Sequence, residues 1–246
     1  MVYSDRFLAA LGARLRGWRE DPARRQEITN ELLEAIAESD LPNDVRTISQ
    51  KCYRKRFLVP NNPQNQGDFG PLIMNGVLED EGVASWTTDL KFAEDFKNPL
   101  RDGTVSAVFG HVPLSHEVIL NIPALWRDQE FQTSVDEYSK AGKPNADLLQ
   151  NFKASQSEII LNAPLRRDEI EGFCGRSSPF ELLCEFAGIH DEEARDEIWR
   201  KLCDADDFPE QPTWLKREAA LRALANTEAK FAKRLHRLET RTKSPN

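Results

Sequence analysis

The chain has 246 residues, 39% hydrophobic and 30% charged, with a formal net charge of −8; this is the balance of a globular protein, enough for one large domain or a domain with an appendage. No apolar run reaches the roughly 18 residues of a membrane span, and Arg6, Arg14 and Arg16 interrupt the first apolar pattern where a secretory signal would be continuous, so the sequence predicts a cytoplasmic protein with no membrane partner. The charge is uneven: Thr213 to Asn246 carries nine Lys/Arg against three Glu, leaving the first 212 residues strongly acidic, which suggests an interaction tail or a basic segment that complements the acidic body.

Phe7, Leu8, Leu11, Leu15 and Trp18 recur at steps of three and four and predict a first helix. Asp21-Pro22 reads as an N-cap followed by proline at the first helical position, and Ile28, Leu32, Leu33 and Ile36 continue a second helix. Cys52 to Val59 is β-compatible, and Pro60 to Gly70, rich in Pro, Asn, Gln and Gly, is a loop. Leu72 to Leu78 reads as a helical turn or two, Val83 to Thr87 as a strand, and Thr88 as the cap of a helix with Phe92, Ala93 and Phe96 on its apolar face. Val105 to Val112 and Val118 to Ile122 read as strands, and Pro123 to Tyr138 as a helix. Glu158 to Leu161 is a strongly apolar strand and Ile170 to Phe173 a weaker one. From Pro179 the pattern is helical again, with a helix begun near Asp191 and a last amphipathic stripe of Leu221, Leu224, Phe231, Leu235 and Leu238.

Common chemical motifs are missing. The sequence has no Gly-rich phosphate loop, no HExxH and no GxSxG, and Asp68-Phe69-Gly70 lies in a loop without the other kinase motifs. Cys52, Cys174, Cys184 and Cys203 form no CxxC pair, and Cys174, Cys184, His190 and Cys203 match no usual zinc spacing, so they read as reduced, mostly buried thiols and no metal is expected. His111, His116, His190 and His236 show no ligand spacing.

Three polar interruptions of the β-rich segment carry more information. They are Tyr53-Arg54 in the first strand, Ser85-Trp86-Thr87-Thr88 at the end of another, and Gln156-Ser157-Glu158 opening the most apolar strand. An ionised carboxylate beside a buried strand needs a partner or a purpose. Alternation places Ser85 and Thr87 on one face with Trp86 on the other, and puts Gln156 and Glu158 on one face. In this order the three motifs resemble the arginine–serine–glutamate branch of the ADP-ribosyltransferase superfamily, over roughly Lys51 to Arg176. The flanks are also similar to that family: Gly76 to Phe96 reads as its strand followed by a helix, and Ala163 to Phe173 as the strand after the catalytic one. The resemblance implies an α+β fold, with two packed, mostly antiparallel sheets around an NAD cleft and helices at both ends of the chain. Residues 1–176, including the N-terminal helices in 1–50, would be the catalytic domain, and 177–246 a helical extension ending in a basic helix.

The implied reaction moves ADP-ribose from NAD+, as co-substrate, to a macromolecule without a metal. Nicotinamide leaves through an oxocarbenium-like transition state, whose positive charge a carboxylate stabilises; the resemblance gives this role to Glu158. It gives Arg54 the diphosphate, to which a planar fork of donors is suited. Ser85 would orient the ribose and support Glu158, Thr87 would buttress the strand, and Tyr53 would belong to the NAD+ site. Arg101 is placed to reach the phosphates, while Phe96 and Phe109 stand between a nicotinamide contact and core packing. The chain departs from the family pattern at Lys55, where many relatives have Gly, and at Trp86 and Thr87, which replace the Thr and Ser of the commonest middle motif. These departures bear on the nicotinamide contacts.

Gln156 bears on the acceptor. By resemblance, Gln two residues before the catalytic Glu accompanies asparagine or nucleic-acid acceptors, and Glu there accompanies arginine. An amide both donates to and accepts from a carboxamide or a base edge. The basic helix from Trp214, with Lys230, Lys233, Arg234, Arg237 and Arg241, supplies a cationic footprint and the acidic body opposes it, which places nucleic acid slightly ahead of protein as acceptor. The resemblance also implies a bacterial toxin or phage-defence effector, which a neutralising antitoxin protein can hold. Transfer to a protein side chain, simple NAD+ hydrolysis and a catalytically inactive binding module remain alternatives.

Overall fold

Two apolar stripes and a run of β-rich segments set the order of elements in a computed structural model of the chain. It describes residues 3–16, 21–58, 68–78, 82–97, 105–151, 157–174, 184, 186–191, 193–195, 197–198, 201 and 215–242. In chain order the elements are α1 (Asp5–Arg16), α2 (Pro22–Ala37), a 3-10 turn (Asn43–Arg46), β1 (Cys52–Phe57), α3 (Phe69–Asn75), β2 (Val77–Leu78), β3 (Val83–Thr87), α4 (Leu90–Asp95), β4 (Ser106–His111) and β5 (Val118–Asn121). They continue with α5 (Ile122–Leu125), α6 (Gln129–Lys140), α7 (Ala146–Asn151), β6 (Glu158–Asn162), β7 (Leu165–Arg166), a second 3-10 turn (Arg167–Glu169), β8 (Ile170–Cys174), β9 (Leu215–Lys216) and α8 (Arg217–Thr242). The fold is mixed α+β. Its described sheet is mostly antiparallel, with strands that divide between two compact units interleaved along the chain: Met1–Cys52, Glu81–Leu90 and Val112–Ala163 form the first, and Tyr53–Asp80, Lys91–His111 and Pro164–Asn246 the second.

In the first unit the strands run β5-β6-β3, both pairings antiparallel. Their core is closed by the helical stripe that the sequence displays: Phe7, Leu8, Leu11 and Leu15 of α1 pack with Leu32 and Ile36 of α2, Leu120 of β5 and Ile160 of β6. Asp21 accepts the amide of Arg24 at 3.0 Å and caps α2 as its sequence suggests. The expected single helix from Pro123 to Tyr138 is two helices. Asp128 accepts from the amide of Glu130 at 2.8 Å and starts α6 afresh, after Asn121 has capped α5 through the amide of Ala124 at 3.1 Å. Asp128 has a second task. It accepts the Tyr3 hydroxyl at 2.5 Å, which holds its carboxyl below the usual range, while burial and that same carboxylate push the tyrosine up. The Tyr3 ring meets Phe131 edge-on with centroids 5.2 Å apart, so the chain's first described residue is fastened into the core.

In the second unit the strands run β1-β4-β8-β9, and β2 pairs with β7. β4 pairs antiparallel with β8 with a register shift between Val108 and Phe109, and β8 pairs with β9. The first turns of α8 lie on β8, with Ala220 and Leu224 buried. Polar contacts fix that seat. Arg217 donates to the carbonyls of Ile170 and Asp168, and Arg167 donates to the carbonyl of Ile73 at 2.7 Å and to Glu228 at 2.9 Å. Beyond Glu228, Lys230 and Lys233 are exposed. Among the described residues no helix is long and apolar enough to cross a membrane, and no group of His, Cys, Asp or Glu could hold a metal ion.

Candidate active site

Glu158 is the first residue of β6, and its side chain is only 7% exposed. In the antiparallel ladder Thr87 lies directly opposite it, and Ser85 lies opposite Ile160. Residues facing each other across such a ladder project to the same side, so Ser85, Thr87 and Glu158 share one face. Trp86 and Ile159, paired with each other, occupy the opposite face. The register of β3 and β6 thus puts the hydroxyl motif and the carboxylate on one face of the strand pair. Thr87 is the cross-strand neighbour of Glu158, and Ser85 is the diagonal one, roughly 7–8 Å away between Cα atoms. The Thr87 hydroxyl oxygen accepts the amide of Asp89 at 3.1 Å.

Ser157 precedes Glu158 with φ at +44°, a left-handed conformation uncommon for a residue with a side chain. The extended strand thus begins at Glu158. Gln156 and Arg101, both expected at the site, lie outside the described residues.

Tyr53 and Arg54 lie on β1 and are half-buried. Strand alternation sets Arg54 on the face of Arg56, which pairs with Asp68 at 2.6 Å, and sets Tyr53 on the face of Lys55. Lys55 has a defined task in the second unit. Its ammonium donates to the carbonyls of Glu94 at 2.9 Å and Phe96 at 2.8 Å, satisfying acceptors at the end of α4, and stands 5.4 Å from the centre of the Phe57 ring. Phe96 packs on Phe92 with centroids 5.7 Å apart, and Phe109 is fully buried in β4. Lys55 is therefore a clamp on the end of α4.

Burial pushes Lys55 down to about 8. Because this folded value lies below the roughly 10.4 of an unfolded lysine, the unfolded chain binds more protons between those values, and the contribution of Lys55 to stability rises with pH across that window. Below pH 8 the cost of burying the charge is present in full. Denaturant unfolding of the native chain and of Lys55→Met at pH 7 and pH 10 should show the native chain gaining relative to the variant at the higher pH. An unchanged difference would show that Lys55 stays charged throughout.

Sequence reasoning missed a cavity of about 610 Å³ in the first unit. Thr88 and Ser157, the residues next to the Thr87–Glu158 pair, line it at the strand ends. Its other walls come from Asp44 in the first 3-10 turn and residues 47–50 after it, from Asn121, Pro123 and Arg127 around α5, and from Ile159. Ser85, Thr87 and Glu158 do not line it. Asn121 braces the wall: its side-chain amide donates to the carbonyl of Thr47 at 2.9 Å while its oxygen caps α5. The readable signal was Asn121-Ile122-Pro123, a cap and a proline directly after a strand. No family model, curated protein or solved structure matches this chain.

Proposed function

We propose that the chain is a mono-ADP-ribosyltransferase that moves ADP-ribose from NAD+ to a macromolecular acceptor. The observation that carries this reading is the placement of Glu158, a carboxylate 7% exposed at the very start of a strand, across from Thr87 and on the same face as Ser85. Two hydroxyls and a shielded carboxylate form a set that can hold a ribose and stabilise positive charge on it. In the proposed step the bond between C1 of the ribose and the nicotinamide nitrogen breaks, the electron pair leaves with nicotinamide, and an acceptor atom bonds to C1 and gives up its proton. Glu158 stabilises the oxocarbenium-like charge between those events. Ser85 and Thr87 orient the carboxylate and the ribose, and Arg54 takes the diphosphate. The fold class agrees with the family that the three motifs resemble, in that the chain is α+β with mostly antiparallel sheet and helices at both ends.

The test is incubation with NAD+ labelled in its adenine half, with and without a cell lysate, followed by separate ribonuclease, deoxyribonuclease and protease digestion of the labelled product. Transfer predicts a label that one of these treatments releases. Stoichiometric free ADP-ribose at full rate without lysate would instead make the chain an NAD+ hydrolase, and no consumption of NAD+ in either arm would sink the enzymatic reading.

A further inference from the structure

We propose that the cavity behind the β3–β6 strand pair is a second binding site, for a small zwitterion of amino-acid or dipeptide size with an apolar side chain. This goes beyond the transferase reading and does not rest on it. Position is the first argument. Asn121 pairs with Ile159 across the β5–β6 ladder, and Ile159 pairs with Trp86, so the two line the cavity from the face opposite Glu158. The amide of Thr88 donates to the carbonyl of Ser157 at 3.4 Å, which joins the two strand ends into one wall. The strands themselves therefore stand between a molecule in the cavity and the Glu158 carboxylate, and the site is separate from the one that would take NAD+.

Charge is the second argument. The charged residues that line the cavity are Asp44 and Arg127, one of each sign, on walls from different parts of the chain. Both are exposed, and among the described residues neither takes part in an ion pair or a side-chain hydrogen bond, with the other or with a third group. A polyanion such as a nucleotide would set its charge against Asp44, and a simple cation would meet Arg127. A zwitterion satisfies both: its carboxylate takes the planar fork of Arg127, and its ammonium takes the carboxylate of Asp44. Size and lining are the third argument. A volume of about 610 Å³ lies in the range of small-molecule sites. Ile48, Pro123 and Ile159 give an apolar surface for a side chain, and the Gln50 amide with the Thr88 and Ser157 hydroxyls can donate to or accept from a peptide group. Asn121 serves otherwise. Its side chain joins the carbonyl of Thr47 to the start of α5, which holds the Asp44 wall to the Arg127 wall before any ligand arrives.

The test uses the full chain without NAD+. The probes are free leucine, free phenylalanine and the dipeptide leucyl-leucine, each beside its N-acetyl and its C-terminal amide derivative. Binding is followed by titration calorimetry and by backbone amide shifts. The variants Asp44→Asn and Arg127→Gln change exposed side chains, and far-ultraviolet circular dichroism checks that they fold as the native chain does. At least one zwitterion should bind the native chain saturably and move the amides of residues 47–50, Thr88 and Ser157, and its two derivatives should bind about tenfold or more weaker. Asp44→Asn should lose the preference over the N-acetyl form and keep that over the amide, and Arg127→Gln should do the reverse. No saturable binding of any of the three zwitterions would overturn the proposal. So would derivatives that bind as well as the parent, selectivity left unchanged by either substitution, or shifts centred on Ser85 and Glu158, which would put the ligand on the other face. None of these readouts needs NAD+ turnover, so a failure of the transferase reading leaves the test intact.

Discussion

Glu158→Gln should lower the rate of nicotinamide release by about 10²-fold or more while leaving NAD+ affinity nearly unchanged. Glutamine keeps the shape of the side chain and most of its hydrogen bonding, so the start of β6 and its pairing with Thr87 should persist. What disappears is the negative charge. In NAD+ the positive charge sits on the nicotinamide ring, and in the oxocarbenium-like transition state it moves onto the ribose; a carboxylate placed at the ribose therefore stabilises the transition state more than the ground state, and this is why the loss should fall on kcat and not on KM. Its burial strengthens the effect, because a carboxylate that is 7% exposed acts through little intervening water. Single-turnover nicotinamide release and a separate NAD+ binding titration check the two halves. Near-normal release by Glu158→Gln would remove the assigned role, and a binding loss equal to the rate loss would make Glu158 a ground-state contact.

The strands that hold this pair were legible in the sequence, and their register was not. Val83–Thr87 occurs as expected, and the run from Glu158 extends one residue further to Asn162, because β-branched and aliphatic residues bounded by polar ones mark strands directly. Nothing local says that Thr87 rather than Ser85 opposes Glu158. That follows from how the chain returns from β3 to β6 through seventy intervening residues. The break at Trp126 to Asp128 was hidden because the apolar period runs on across it, although Asp128 before Gln129 and Glu130 is a capping signal. α7, Ala146–Asn151, is too short to display a period. The cavity is the least legible feature of all, since its walls come from four segments separated along the chain and only tertiary structure assembles them. Lys55 shows a different kind of limit. Its identity is plain in the sequence, but its bonds to the Glu94 and Phe96 carbonyls depend on where α4 ends, which sequence places least well.

Trp86→Ala should destabilise the chain by about 3–5 kcal/mol, the largest stability loss expected from one substitution near the site. Trp86 is 2% exposed, pairs with Ile159 across the ladder and projects from the face opposite Ser85 and Thr87. It therefore anchors the strand whose other side carries the hydroxyls. Removing the indole deletes its buried area and leaves a void that neighbours of fixed backbone can only partly close. For a chain of this size the melting temperature should fall by about 6–20 °C, at roughly 2–4 °C per kcal/mol. Trp86→Phe keeps an aromatic ring in the same place and should cost less. Thermal unfolding followed by far-ultraviolet circular dichroism gives the size of the loss, and hydrogen exchange at β3 and β6 shows where it falls. Exchange that quickens at Thr87 and Ile159 more than in α8 would locate the damage in the β3–β6 ladder. A loss below about 1 kcal/mol would show that β3 is held by its ladder alone. The comparison with Glu158→Gln then separates the two faces of one strand pair: the charge variant should fold normally and turn over slowly, whereas the tryptophan variant, at temperatures where it remains folded, should lose turnover only as far as Ser85 and Thr87 lose their places opposite β6.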